Sequence, residues 1–184
     1  MKTLEKFEVL EPYSDGIIVE FGAGDSTFYF LSNCKKLLTF ETSRKYVRGF
    51  DFLMVTNPGK FEIHHFNIGP TKSWGRPILP DFLIRRKVIK SIQAIQAKLR
   101  NVDYTTLFID GRYRVATTLS IVAQSQLKFS VIVDDYYDRP DYKILESYLG
   151  PPSALSSDFA KFDLGPSLCA DVKKRWKMEN ILQV

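Results

Sequence analysis

"VEFGAGDST", Val19 to Thr27, sets two glycines one residue apart, after an apolar run and before a helical pattern. Glycine at such a point lets the chain turn tightly and lets another group come close to the backbone. What uses that closeness depends on the surrounding elements. "GIIVEF" (16–21) reads as a buried strand and "STFYFLSN" (26–33) as a helix capped by Ser26 or Asp25. "KLLTFE" (36–41) reads as a second strand. "SRKYVRGFDFLM" (43–54) follows as a helix, with Val47, Phe50 and Met54 at helical spacing. "KFEIHHFNIG" (60–69) alternates apolar and polar residues and fits a third strand.

"GPTKSWGRPILP" (69–80), with two glycines and three prolines, is expected to form no regular element. Asp81 can then cap a long helix to Arg100, whose apolar positions Ile84, Val88, Ile92, Ile95 and Leu99 form one stripe. "YTTLFID" (104–110) and "KFSVIVDD" (128–135) read as the fourth and fifth strands, with helices at 113–125 and 139–149, the latter opened by Pro140. "DFAKFDL" (158–164) suits a further strand, and 168–176 suits either strand or helix. Strands alternating with helices predict an α/β fold: a Rossmann-like, doubly wound, mostly parallel sheet with helices on both faces, ending in an antiparallel strand. A length of 184 residues favours one domain, 1–184, with a core at 16–150 and a C-terminal segment at 151–184.

Hydrophobic residues make up 45% of the chain and charged residues 26%, the balance of a water-soluble globular protein. The first sixteen residues alternate charge with apolar side chains and do not read as a signal peptide. No apolar run approaches the roughly 20 residues of a membrane span. Cys34 and Cys169 lack a CxxC spacing and are read as free thiols. A cytoplasmic protein with no membrane association is expected. The net charge is +5, yet residues 61–100 alone hold eight basic side chains against Glu62 and Asp81. That segment reads as the solvated face of a helix or as a landing surface for an anionic partner.

In an open parallel sheet, ligands gather beyond the carboxyl ends of the strands. The residues expected there are Glu20, Glu41, Asn67, Asp110, Asp134 and Asp135, of which five are carboxylates. One alone would serve as a helix cap; the set points to a site. The turn departs from the dinucleotide fingerprint, since Thr27 stands where the third glycine would be. Glu20 and Asp25 beside it disfavour a pyrophosphate.

The pattern of "VEFGAGDST" with Glu41 about twenty residues on resembles the cofactor-binding half of the class I S-adenosylmethionine-dependent methyltransferases, over residues 16–150. The resemblance implies that Gly22 and Gly24 flank the methionine part of the cofactor, with Ser26, Thr27 and Asp110 also among the cofactor-binding residues. It places Glu20 near the ammonium group through the turn, Glu41 on both ribose hydroxyls, and Asn67 with Ile68 at the adenine. Helix capping or a buried ion pair is the structural alternative for Glu20 and Glu41.

"FIDGRYR" and "VIVDDYYDRP" are similar to the metal-dependent O-methyltransferases, including the macrocin type, with Asp110, Asp134 and Asp135 at the metal positions. Three converging carboxylates repel unless a cation lies among them. An oxygen-only set suits Mg²⁺, and the arginines Arg112 and Arg114 are the other source of positive charge. Asp110 and Asp134 are the expected catalytic residues. Lys72, Trp74, Arg76 and Arg112 are candidates for contact with substrate, in or near a loop able to cover it. His64 and His65 point to opposite faces of their strand and form no two-ligand site.

The expected function is O-methylation of a hydroxyl on a small molecule or glycan, possible acceptors being anionic; the alternative is a non-catalytic relative that binds nucleic acid through residues 72–100. A nicotinamide dehydrogenase is disfavoured by the missing glycine. The Asn-Pro-Pro-aromatic motif of base-modifying enzymes is absent, and only Trp74 and Phe82 could stack on bases. So short a chain has little with which to cover an acceptor, so a homodimer or an open site is expected.

Overall fold

The computed structural model describes residues 5–72 and 76–177. A 3-10 helix at Glu8–Tyr13 leads into strand β1 (Ile17–Phe21), then helix α1 (Asp25–Asn33), β2 (Lys36–Glu41), α2 (Arg44–Thr56) and β3 (Phe61–His65). A short pair, β4 (Thr71–Lys72) and β5 (Arg76–Pro77), precedes α3 (Asp81–Leu99). The second half runs β6 (Thr106–Ile109), α4 (Arg114–Val122), β7 (Phe129–Val133), α5 (Ile144–Leu149), β8 (Ser153–Ala154), β9 (Ala160–Leu164) and α6 (Pro166–Arg175). Seven strands form one sheet in the order β3-β2-β1-β6-β7-β9-β8. The first five are mutually parallel, and β9 pairs antiparallel with both β7 and β8. The expected doubly wound sheet with an antiparallel end is therefore present.

β1 is buried from Ile18 to Phe21 because helices cover both faces of the sheet. Its side chains alternate between two cores. Val19 and Phe21 join Leu107, Ile109, Val131 and Val133 beneath α3, α4 and α6. Ile18 joins Phe108 and Ile132 beneath the 3-10 helix, α1 and α2. The stripe Ile84, Val88, Ile92, Ile95 and Leu99 is the buried face of α3, as the spacing predicts. Cys34 and Cys169 are buried free thiols.

Three local differences have simple causes. The loop at 69–80 forms the antiparallel pair Thr71↔Pro77 and Lys72↔Arg76. A two-residue edge ladder tolerates Pro77, whose missing N–H costs little at an edge. The 168–176 segment is helical: Cys169, Val172 and Trp176 bury one face at spacings of three and four, and Pro166 opens the helix. The 139–149 helix divides into a 3-10 turn at Pro140–Lys143 and α5, which ends at Gly150 with φ +80°. Among the described residues no helix is long and apolar enough to cross a membrane.

Candidate active site

The crossover from β1 to β2 on one side and β6 on the other opens a crevice at the carboxyl edge of the sheet. The glycine turn sits at that point, and its two glycines have different reasons. Gly22 has φ +98°, and a Cβ there would meet the Gly111 nitrogen at 2.7 Å and the Asp110 carbonyl carbon at 2.9 Å. What passes close to Gly22 is thus the chain leaving β6. Gly24 is extended, with φ −175°, and a Cβ there would meet nothing within 4 Å. The space in front of Gly24 is open, as a ligand lying against the turn requires.

Glu20 lies beneath the turn rather than at its surface. Its carboxyl is completely buried and accepts three hydroxyl hydrogen bonds, from Ser26 (2.6 Å), Thr27 (2.8 Å) and Thr39 (2.7 Å). Burial pushes its pKa up to about 7, against the lowering effect of those donors. It lies beneath the turn with no surface to offer an ammonium group. Ser26 and Thr27 are buried with it. The three residues build the start of α1: the Thr27 hydroxyl donates to Glu20 and accepts the Gly24 N–H at 3.0 Å.

Glu41, at the end of β2, is 8% exposed. Its Oε2 accepts the Ala23 N–H at 2.9 Å; its Oε1 accepts the Ser43 N–H at 2.6 Å and the Thr42 hydroxyl at 3.2 Å. A carboxylate has about four acceptor positions, so this one keeps a single position, on Oε2. That is room for one ribose hydroxyl rather than the expected two. Asn67 lies beyond β3, exposed, with its side-chain carbonyl accepting the Gly69 N–H at 3.0 Å. Ile68 is fully buried in the core and is not part of a ligand surface.

Asp110, Asp134 and Asp135 do converge, in the first turns after β6 and β7. The Asp110 N–H donates to the Phe21 carbonyl at 2.8 Å and the Asp134 N–H to the Ile109 carbonyl at 3.1 Å, which holds both turns at the edge. Two side-chain cations divide the carboxylates. Arg114 Nη2 donates to Asp110 Oδ1 at 2.8 Å and to Asp135 Oδ2 at 3.3 Å. Its Nη1 donates to the Asp134 carbonyl and its Nε to the Gly111 carbonyl. Lys6 Nζ donates to Asp134 at 2.8 and 3.1 Å and lies 3.5 Å from Asp158. Asp134 is nearly buried, and that burial pushes its pKa up. Asp110, with a side chain still 36% exposed, has its pKa pushed up to about 7 by burial, which outweighs the Arg114 charge; Asp134 and Asp135 add to the rise.

This arrangement does not fit Mg²⁺. The three carboxylates are already shared between two cationic side chains, and among the described residues no cluster of three or more metal-ligating groups is poised around one point. Arg114 was readable in the sequence as an alternative positive partner for Asp110. Lys6 was not, since 128 residues separate it from Asp134 and no local pattern links them.

Lys72 and Arg76 face each other in the β4–β5 hairpin. Arg112 follows Gly111 at the crevice, half-buried, its pKa lowered by burial and by the charges of Arg76 and Arg114. Hairpin and crevice are therefore near one another. Trp74 lies outside the described residues. A cavity of about 580 Å³ lies at the opposite edge of the sheet among Leu99, Tyr104 and Ser125, away from these groups.

No protein-family model and no curated protein matches the chain. Solved structures do. A methyltransferase-like protein from Silicibacter pomeroyi aligns over 94% of this chain and 95% of its own, at 22% identity and a TM-score of 0.73. SMU.1697c from Streptococcus mutans, solved in complex with SAH, aligns over 89% and 97%, at 11% identity and a TM-score of 0.48. The first likeness, together with the sheet order and the glycine turn at the switch point, shows that the chain has the class I S-adenosylmethionine-dependent methyltransferase-like fold.

Proposed function

We propose that the protein is an S-adenosylmethionine-dependent methyltransferase that methylates a hydroxyl of a small molecule or glycan, with Asp110 as the base. The observation that carries this reading is Asp110: a partly buried carboxyl with its pKa pushed up to about 7, at the crevice and against the glycine turn. Bound S-adenosylmethionine supplies a methyl group on a sulfonium, an electrophile that needs only a nucleophilic oxygen. The open space at Gly24 and the one free position on Glu41 Oε2 are what the chain offers to hold the cofactor. Arg114 occupies Asp110 Oδ1 and leaves Oδ2 to take a proton from an acceptor hydroxyl. A base poised near neutral pH is suited to that transfer. Lys6 and Arg114 keep the surrounding carboxylates from repelling one another, so the reading needs no metal.

The test has two steps. Calorimetry should show S-adenosylhomocysteine binding that weakens in Glu41→Ala. Incubation with methyl-labelled S-adenosylmethionine and a panel of hydroxylated compounds should then transfer label in wild type and not in Asp110→Asn. Absence of binding to the wild-type chain would remove the cofactor. Binding without transfer to any member of the panel would favour the non-catalytic relative.

A further inference from the structure

The two edges of the seven-stranded sheet are built differently. At one end lies β8, two residues long, with Pro151 and Pro152 just before it. A short edge strand and neighbouring prolines protect against pairing with another chain. At the other end lies β3, five residues with no proline and no lysine. Its parallel pairing with β2 uses every second residue. The Lys60 carbonyl accepts the Leu37 N–H at 2.8 Å, and the Phe66 N–H donates to the Glu41 carbonyl at 2.8 Å. Glu62 and His64 fall in the same phase, so Ile63 and His65 turn their backbone groups outward. Among the described residues, those N–H and C=O groups have no partner.

Helix α2 connects β2 to β3 and lies along this edge. Its Phe50 meets Phe28 of α1, with ring centroids 5.4 Å apart, so that side of α2 faces α1. Phe52 and Val55 stand about 200° and 140° round the axis from Phe50, at roughly 100° per residue. They point away from α1, on the side of the open edge, and are 54% and 81% exposed. Unpaired backbone and exposed apolar side chains thus share one border of the molecule.

We propose that this border is a self-association surface, on which two copies pair β3 with β3, antiparallel about Ile63, into one continuous sheet. Identical edges close about a twofold axis, and an axis along the sheet normal runs the two strands antiparallel. Ile63 then faces its own copy as a hydrogen-bonded pair that exchanges both bonds. Each His65 N–H reaches the partner's Phe61 carbonyl. The Phe61 N–H is not needed, since it already donates to the Asn57 carbonyl at 3.1 Å. Glu62 falls opposite the partner's His64, a carboxylate against a ring that can donate. The same axis sets the two α2 helices side by side, with Phe52 and Val55 against their counterparts. A foreign strand would use the backbone groups but leave Phe52 and Val55 in water; a second copy covers both.

In this pair the carboxyl edges of the two sheets point in opposite directions. Each crevice stays open, and neither copy covers the other's. The inference stands whether or not the chain transfers methyl groups.

The experiment uses the whole chain. Sedimentation velocity over a range of concentrations should show a dimer. Phe52→Glu and Val55→Glu, both at exposed positions, should each weaken it about tenfold or more, because the new charge meets its own copy. Their far-ultraviolet circular dichroism should match wild type. Tyr137→Glu, at an exposed aromatic beyond β7, should leave the dimer intact. The Ile63 and His65 amides should exchange slowly with solvent in wild type and quickly in Val55→Glu. For the register, a mixture of Glu62→Cys and His64→Cys chains should cross-link on oxidation, since such an antiparallel pair brings Cα atoms to about 4.5 Å. Either chain alone should cross-link far less; Cys34 and Cys169 are buried. A monomer at every concentration would overturn the proposal, as would a dimer indifferent to Val55→Glu. Cross-linking no better in the mixture than in Glu62→Cys alone would overturn the pairing about Ile63. A monomer whose Ile63 and His65 amides gain protection only on addition of an extended peptide would give the edge to a foreign strand instead.

Discussion

Gly22 and Gly111 meet backbone against backbone, with the place of a Gly22 Cβ only 2.7 Å from the Gly111 nitrogen. The turn after β1 and the turn after β6 are one packed unit, and Asp110 is positioned by it. Gly22→Ala therefore combines positive φ with a collision against main chain that cannot swing away. It should destabilise the fold by about 2 kcal/mol or more. Gly24→Ala has neither problem and should leave the melting temperature almost unchanged. Its new methyl projects into the open space assigned to the cofactor, so it should weaken S-adenosylhomocysteine binding at least several-fold. Melting curves and calorimetry on the two variants check both halves. A Gly24→Ala protein that binds as wild type would place the ligand elsewhere.

Glu41 ties the same turn to β2 through the Ala23 N–H. Glu41→Ala should then lower stability as well as binding, by about 1.5–3 kcal/mol in unfolding free energy, the usual scale for hydrogen bonds to a charged group. Denaturant unfolding followed by calorimetry on the folded fraction separates the two losses. Lost binding at unchanged stability would mean that the backbone bonds of Glu41 contribute nothing to the fold.

The fold was legible because its elements are built on periodicity: five apolar runs of strand length and a helix stripe at Ile84 to Leu99. The site was legible only as a location. Strand-end position correctly brought Asp110, Asp134 and Asp135 together, because that follows from topology. It failed for Glu20 because position 20 is one before the end of β1, where a side chain still points into the layer beneath the turn. Three hydroxyls from α1 and β2 that satisfy a buried carboxyl have no common spacing in the chain. Ile68 failed similarly: one residue beyond Asn67, it returns to the core. Lys6 approaches Asp134 from a distant segment, which no local pattern encodes.

Glu20 supplies a pH dependence. Its pKa rises from the ordinary carboxyl value of 4.5 to about 7 in the fold. Between those values the folded chain keeps a proton that the unfolded chain has released. The stabilisation is complete below about pH 4.5 and is lost as pH rises through about 7. Glu20→Gln keeps the shape and removes the titration. Relative to wild type it should gain stability from pH 5 to pH 8, by an amount on the order of 3 kcal/mol. Urea denaturation of both proteins across that range checks this. A constant difference would show that Glu20 does not hold its proton.

Asp110 is the carboxyl proposed as the base, and its proton can be followed without an acceptor. Carboxyl ¹³C resonances titrated in the folded chain should place its pKa near 7. Arg114 lowers that pKa from 2.8 Å away, so Arg114→Gln should raise it further. Rates of methyl transfer should rise with pH through the same value in wild type, because only the ionised form can take the hydroxyl proton. The Arg114→Gln profile should move to higher pH in step with the titration. Asp110→Asn should lose about 10²–10⁴-fold, the range for a general base. Chelator should change none of these rates, because Arg114 and Lys6 already neutralise the carboxylates that a metal would bridge. A profile that stays in place when Arg114 is removed, while the Asp110 resonance moves, would separate this carboxyl from the proton transfer. Loss of activity on chelation and its return with Mg²⁺ would show that the two cations give way to a metal.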